Sequence, residues 1–101
     1  TVASQGLFLL NHPFVRQQSQ AFAERLLSDG QQSDDQRIEL AHRLAYGRSA
    51  TPVEKEDTTA FLKAFQESST LGAKPEAERR SAAWQAFCQS LLCSNEFLYV
   101  E

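Results

Sequence analysis

Residues 47–54, Gly-Arg-Ser-Ala-Thr-Pro-Val-Glu, end one helix and begin another within a few positions. Upstream, Ile38, Ala41, Leu44 and Ala45 recur at helical spacing, and Leu40 widens the stripe. Gly47 can take a positive φ at a helix end, where another residue is strained. Thr51 then reads as an N-cap, Pro52 as the first helical residue and Glu54 as the third. That is a capping box with proline in its preferred place. Acids follow in the next turns (Glu54, Glu56, Asp57), as the helix dipole favours. Of the whole joint, only Arg48 is left without a local task.

The same signals divide the rest of the chain. A short apolar helix is expected over residues 2–10, interrupted by Gly6, with Leu7, Phe8 and Leu10 facing the core. Asn11 or His12 caps the next helix, and Pro13 suits its first turn. That helix runs from about 13 to 28, with Val15, Phe22 and Leu26 inward and Gln17, Gln18, Gln20 and Glu24 outward. Gly30 stops it, and Ser33 or Asp34 caps the third helix. The helix opened by Thr51 presents Val53, Ala60, Phe61, Ala64 and Phe65 as its inner face. It fades into a loop with Gly72 and Pro75. The last helix, about 75–94, carries the cleanest stripe: Trp84, Phe87, Cys88, Leu91 and Leu92. Ser94 or Asn95 breaks it, and Phe97, Leu98 and Val100 tuck down as a turn or tail. No longer run alternates, so no sheet is expected. The fold class is all-α: a compact orthogonal bundle of about five helices with an irregular C-terminal tail, in a single domain over 1–101.

Composition narrows the partners. At 101 residues and 42% hydrophobic, the chain can bury one core and is not disordered. Its net charge of −3 is spread along the sequence without a basic block, which argues against nucleic acid. No apolar run approaches membrane-spanning length, so no membrane insertion is expected. The sequence opens on Thr-Val-Ala-Ser-Gln without a Met or a leader pattern, as a piece of a longer protein would. On one helix, Cys88 and Cys93 would lie roughly 140° apart around the axis and more than about 7 Å apart along it. That is too far for a disulfide, and they read as small hydrophobes, one of them buried.

Three stretches in order, "SQGLFLLNHPFV", "LAHRLAYGRSATPVE" and "WQAFCQSLLCSNEFLYVE", resemble the C-terminal part of the planctomycete PSD1 domain family (DUF1553). The resemblance runs from Gln5 to Glu101. Tyr46, Ser49 and Ala50 depart from the commoner residues of the middle motif. Cys93 stands where asparagine is usual, which argues against a ligand there. The resemblance implies a C-terminal domain of a large, extracytoplasmic (periplasmic or secreted) protein that often carries a cytochrome c-like domain upstream. It implies no reaction. The middle and last motifs are also similar to a broader helical pattern in DUF4214 and phycobilisome linker domains, which are assembly modules.

The motif residues are Gly47, Arg48, Thr51, Pro52, Glu54, Ser94, Glu96 and Phe97. Arg48, Glu96 and His12 are the candidates for ligand or partner contact. Structurally, Arg48 would bridge the joint to the C-terminal segment by bonding Glu96 or free helix-end carbonyls, since its planar fork suits a carboxylate. His12 reads as a cap, and His42 as a surface partner of Glu39. Neither histidine has a nucleophile and an orienting carboxylate in sequence reach. The His and Cys spacing matches no zinc motif, so no metal, cofactor or catalytic residue is assigned. The carboxylates Asp34-Asp35 and Glu54-Glu56-Asp57 open helices, where the dipole accounts for them. Trp84 could stack on a sugar, but its stripe favours the core. Leu7, Phe8 and Phe14 suit an exposed interface patch.

The leading expectation is a non-catalytic helical module that packs against upstream domains or another protein. The alternative is part of an enzyme or redox site completed upstream, to which Arg48, Glu96 and His12 contribute. A helix-turn-helix DNA reader is disfavoured, because its recognition helix would begin Glu54-Lys55-Glu56-Asp57.

Overall fold

Among residues 12–68 and 73–94, which the computed structural model describes, four helices follow the apolar periodicity, the first three opened by a side-chain cap. They are α1 (Pro13–Leu27), α2 (Asp34–Tyr46), α3 (Pro52–Gln66) and α4 (Glu76–Leu92). Among the described residues there is no strand. The all-helical bundle is as expected. The fifth expected helix, over 2–10, and the tail with Glu96 and Phe97 lie outside the described residues.

The helix starts follow their sequence signals. The His12 ring accepts the Phe14 N–H at 3.2 Å, and Pro13 opens α1. Ser33 caps α2 in a full capping box: its hydroxyl accepts the Gln36 N–H, and the Gln36 side chain accepts the Ser33 N–H. Gln36 was not singled out from sequence, although its spacing from Ser33 carries the signal. Gly47 ends α2 at φ 72°, the left-handed conformation that relieves a helix C-terminus. The expected break of α4 at Ser94 or Asn95 falls slightly earlier, at Cys93.

α4 is the central element, packed chiefly on α1 and α3, with α2 closing the bundle. Trp84 and Cys88 are fully enclosed, and Phe87 and Leu91 nearly so. They meet Ala23 and Leu26 of α1, Ile38 and Ala41 of α2 and Leu62 of α3 in one core. Trp84 meets Phe87 edge-on at 5.8 Å between ring centroids. A fully covered indole cannot stack on a sugar, so that reading of Trp84 falls.

Three expectations are corrected. α3 turns Thr58 and Leu62 to the core, with Phe65 half-buried, while Val53, Ala60, Phe61 and Ala64 face outward. The apolar face of α2 is rotated: Arg37 and His42 are buried beside Ile38 and Ala41, and Leu44 is exposed. Both cysteines are buried, and neither is bonded to the other. Burial pushes the Cys88 thiol up to about 12 and raises that of Cys93, which suits packing rather than reactivity.

Buried Arg37 is the main polar fixture. Its Nε donates to the Leu26 carbonyl at 3.0 Å, and a second nitrogen donates to the Asp29 carbonyl at 2.7 Å. A third contact reaches Asp34 at 2.9 Å. A cation at the C-terminal end of α1 satisfies carbonyls that have no intrahelical partner. Asp34 in turn takes the Arg80 fork from α4.

Candidate functional site

The joint between α2 and α3 is built around one carboxylate. Glu54 is the third residue of α3, so its side chain reaches back and accepts the Thr51 N–H at 2.9 Å. The Thr51 hydroxyl accepts the Glu54 N–H at 3.1 Å and closes the box. The Arg48 guanidinium then grips both Glu54 oxygens, at 2.8 and 2.9 Å. A planar fork on a planar carboxylate is the strong form of this pair. Arg48 also donates to the Ser49 carbonyl and lies 5.2 Å from the centroid of the Tyr46 ring. The task that local sequence did not supply for Arg48 is therefore to hold Glu54. Glu96, its expected partner, lies outside the described residues.

The remaining joint residues are held from α2. Glu39 accepts the Ala50 N–H at 3.2 Å and the Arg43 Nε–H at 2.7 Å. Arg43 also donates to the Ser49 hydroxyl. Hydrogen bonds from Ser49 and Ala50, together with Arg43, hold the Glu39 carboxyl below its usual range against partial desolvation.

His42 is buried rather than paired with Glu39 at the surface. Its Nδ1 lies 2.9 Å from the Ile38 carbonyl. A carbonyl only accepts, so Nδ1 carries the proton. Nε2 points toward Glu54, 3.9 Å from one oxygen. The ring sits beside Tyr46 and Phe87. Tyr46 donates its phenolic proton to the Ser94 hydroxyl at 2.8 Å, tying the end of α2 to the end of α4.

These side chains line a shallow groove of about 300 Å³ between α2, α3 and α4. His42, Tyr46, Phe61 and Phe87 form its aromatic part, and Glu54 and Asp57 its acidic part. No cysteine or lysine lines it. Among the described residues, no group of His, Cys, Asp and Glu is arranged to hold a metal. Of the sequence candidates, Arg48 is engaged at the joint and the His12 ring caps α1, while Glu96 lies outside the described residues. The members that sequence reasoning missed, His42 and Tyr46, become visible only when α4 is placed beside them.

The Arg48 guanidinium is the main cause that holds the Glu54 carboxyl down to about 2, opposed by partial burial and helped by the Thr51 N–H. In the unfolded chain the group returns to 4.5. A depressed carboxyl contributes stability above the unfolded value and loses it as pH falls through the folded one. Acid should therefore weaken the fold between about pH 4.5 and 2. Glu54→Gln, which keeps an acceptor for the Thr51 N–H, should flatten that loss by about 1 kcal/mol after solvent screening. Urea midpoints for the two chains at pH 7 and pH 3 measure the difference.

The described residues form an all-helical bundle with a capped helix–helix joint. The family model for PSD1, a protein of unknown function (DUF1553), matches residues 1–62, and the chain belongs to that family. The match covers the joint and most of α3, whereas the stripe of α4 lies outside it. No curated protein and no solved structure matches the chain.

Proposed function

We propose that this chain is a non-catalytic helical module that packs against upstream domains of the same protein or against a partner. The observation that carries this reading is the fate of the motif. Gly47, Thr51, Pro52 and Glu54 shape the joint, and Arg48 is taken up in holding Glu54. A catalytic carboxylate is poised to exchange a proton near working pH. Glu54, at about 2, is locked in its ionised form. The family resemblance extends the reading: the parent would be a large, secreted planctomycete protein associated with a cytochrome c-like domain, and this module would lie at its C-terminal end.

Cross-linking of the parent protein through lysines tests the reading. Lys63 is exposed on α3 and Lys74 lies just before α4. Both are expected to link to residues beyond this chain. Cross-links confined to the 101 residues would argue for an isolated domain and against the proposal.

A further inference from the structure

The outer side of α3 is apolar and, among the described residues, uncovered. Val53, Ala60, Phe61 and Ala64 are spaced i, i+7, i+8 and i+11, which places them on one side of a helix. All four are exposed, Val53 to 65% and Phe61 to 41%. Thr58, Leu62 and Phe65 already attach the helix to the core from the other side. A surface helix needs one apolar stripe to bind its own domain, and α3 has two. Phe61 belongs to both the outer stripe and the groove, which Phe87 and Leu91 of α4 also line.

Charge selects what covers it. Asp57 stands within the stripe and lines the groove. Helical geometry places Glu56 and Glu67 along one border, with Lys63 as the single cation between them. A second copy is a poor occupant. Antiparallel pairing of two such stripes would bring the two Asp57 carboxylates together near the symmetry axis. An anionic lipid surface meets the same repulsion. The chain's own segments outside the described residues bring no cation to meet these acids. Residues 1–11 and 69–72 contain no Lys or Arg, and residues 95–101 add Glu96 and Glu101.

We propose that the outer face of α3 and the adjoining groove dock an amphipathic helix of a partner protein whose apolar stripe is flanked by Lys or Arg. The helix would seat small or branched apolar side chains around Phe61, and its cations would meet Glu56, Asp57 and Glu67. This inference rests on the module reading and specifies its surface and the chemistry of its partner.

The test titrates the isotope-labelled chain by NMR with two synthetic helical peptides. They share one Leu/Ala stripe and differ only in Lys or Glu flanks. The Lys peptide is expected to shift amides of residues 53–64 and 87–91 and to bind about tenfold more tightly than the Glu peptide. Val53→Asp with Phe61→Asp should abolish binding while leaving the far-UV circular dichroism unchanged. The milder Ala60→Asp should weaken it. Asp57→Lys should erase the peptide preference. Equal affinity for both peptides, shifts centred elsewhere, binding of anionic vesicles through the same amides, or a dimer built on them would each overturn the proposal.

A second arm separates this inference from the reading beneath it. Ala60→Cys is labelled with a maleimide in the chain alone and in the parent protein. Slow labelling in the parent with no preference between peptides overturns the basic partner and leaves the module reading standing. Equally fast labelling in both overturns the covered face in the parent as well.

Discussion

Trp84→Ala is expected to cost about 3–5 kcal/mol, the usual range for removing a large aromatic side chain from a core. The indole is fully covered and central to the helix that holds the bundle together. Its removal strips an edge-on contact from Phe87 and leaves a void in the shared core. Small domains have about 5–15 kcal/mol in total, so the variant should stand close to unfolding at room temperature. Trp84→Phe separates volume from polarity. The indole N–H has no hydrogen-bond partner. Losing it sacrifices no bond, so this variant should cost only about 1–2 kcal/mol. Urea denaturation followed by circular dichroism reads both, since the chain has a single Trp and its fluorescence vanishes with it. Equal losses for the two variants would show that ring volume is not what Trp84 contributes.

The second large effect is expected at Arg37. Arg37→Met keeps most of the apolar stem and removes the guanidinium, which is 6% exposed as part of its residue. The Leu26 carbonyl then loses its donor inside the protein, and the Asp29 carbonyl keeps only the long bond from the Gln32 N–H, at 3.3 Å. An orphaned buried acceptor costs about 1–3 kcal/mol, so a total near 3 kcal/mol is expected. For a chain of this size that lowers Tm by roughly 10–20 °C. Arg37→Lys should recover little, because one ammonium cannot reproduce a fork that spans two carbonyls and Asp34. Thermal melts rank the three chains, and hydrogen exchange should show the loss concentrated in the loop between α1 and α2.

The contrast between these two residues shows what the sequence revealed. Trp84 was legible because its neighbours on the stripe are all apolar and the period is unbroken. The joint was legible because Gly47, Thr51, Pro52 and Glu54 act on backbone a few positions away. Arg37 and His42 were hidden because their partners are distant: the Leu26 carbonyl, the Phe87 ring and Glu54 enter only through tertiary packing. α3 failed for another reason. Periodicity tells which residues share a side, but not which side meets the core. Val53, Ala60, Phe61 and Ala64 outweighed a true inner face that includes the polar Thr58. The same misassignment marks the surface proposed above as a docking face. Arg48 adds a contact that its position alone did not announce: Glu54, six positions away, supplies a carboxylate already oriented by its cap.

Because Glu54 holds both Thr51 and Arg48, the loop that leaves α2 and the cap that opens α3 share a single fastening. Fraying at either terminus strips a partner from the other. The two ends should therefore open as one cooperative unit, and their slow-exchanging amides should respond together to any change at that carboxylate.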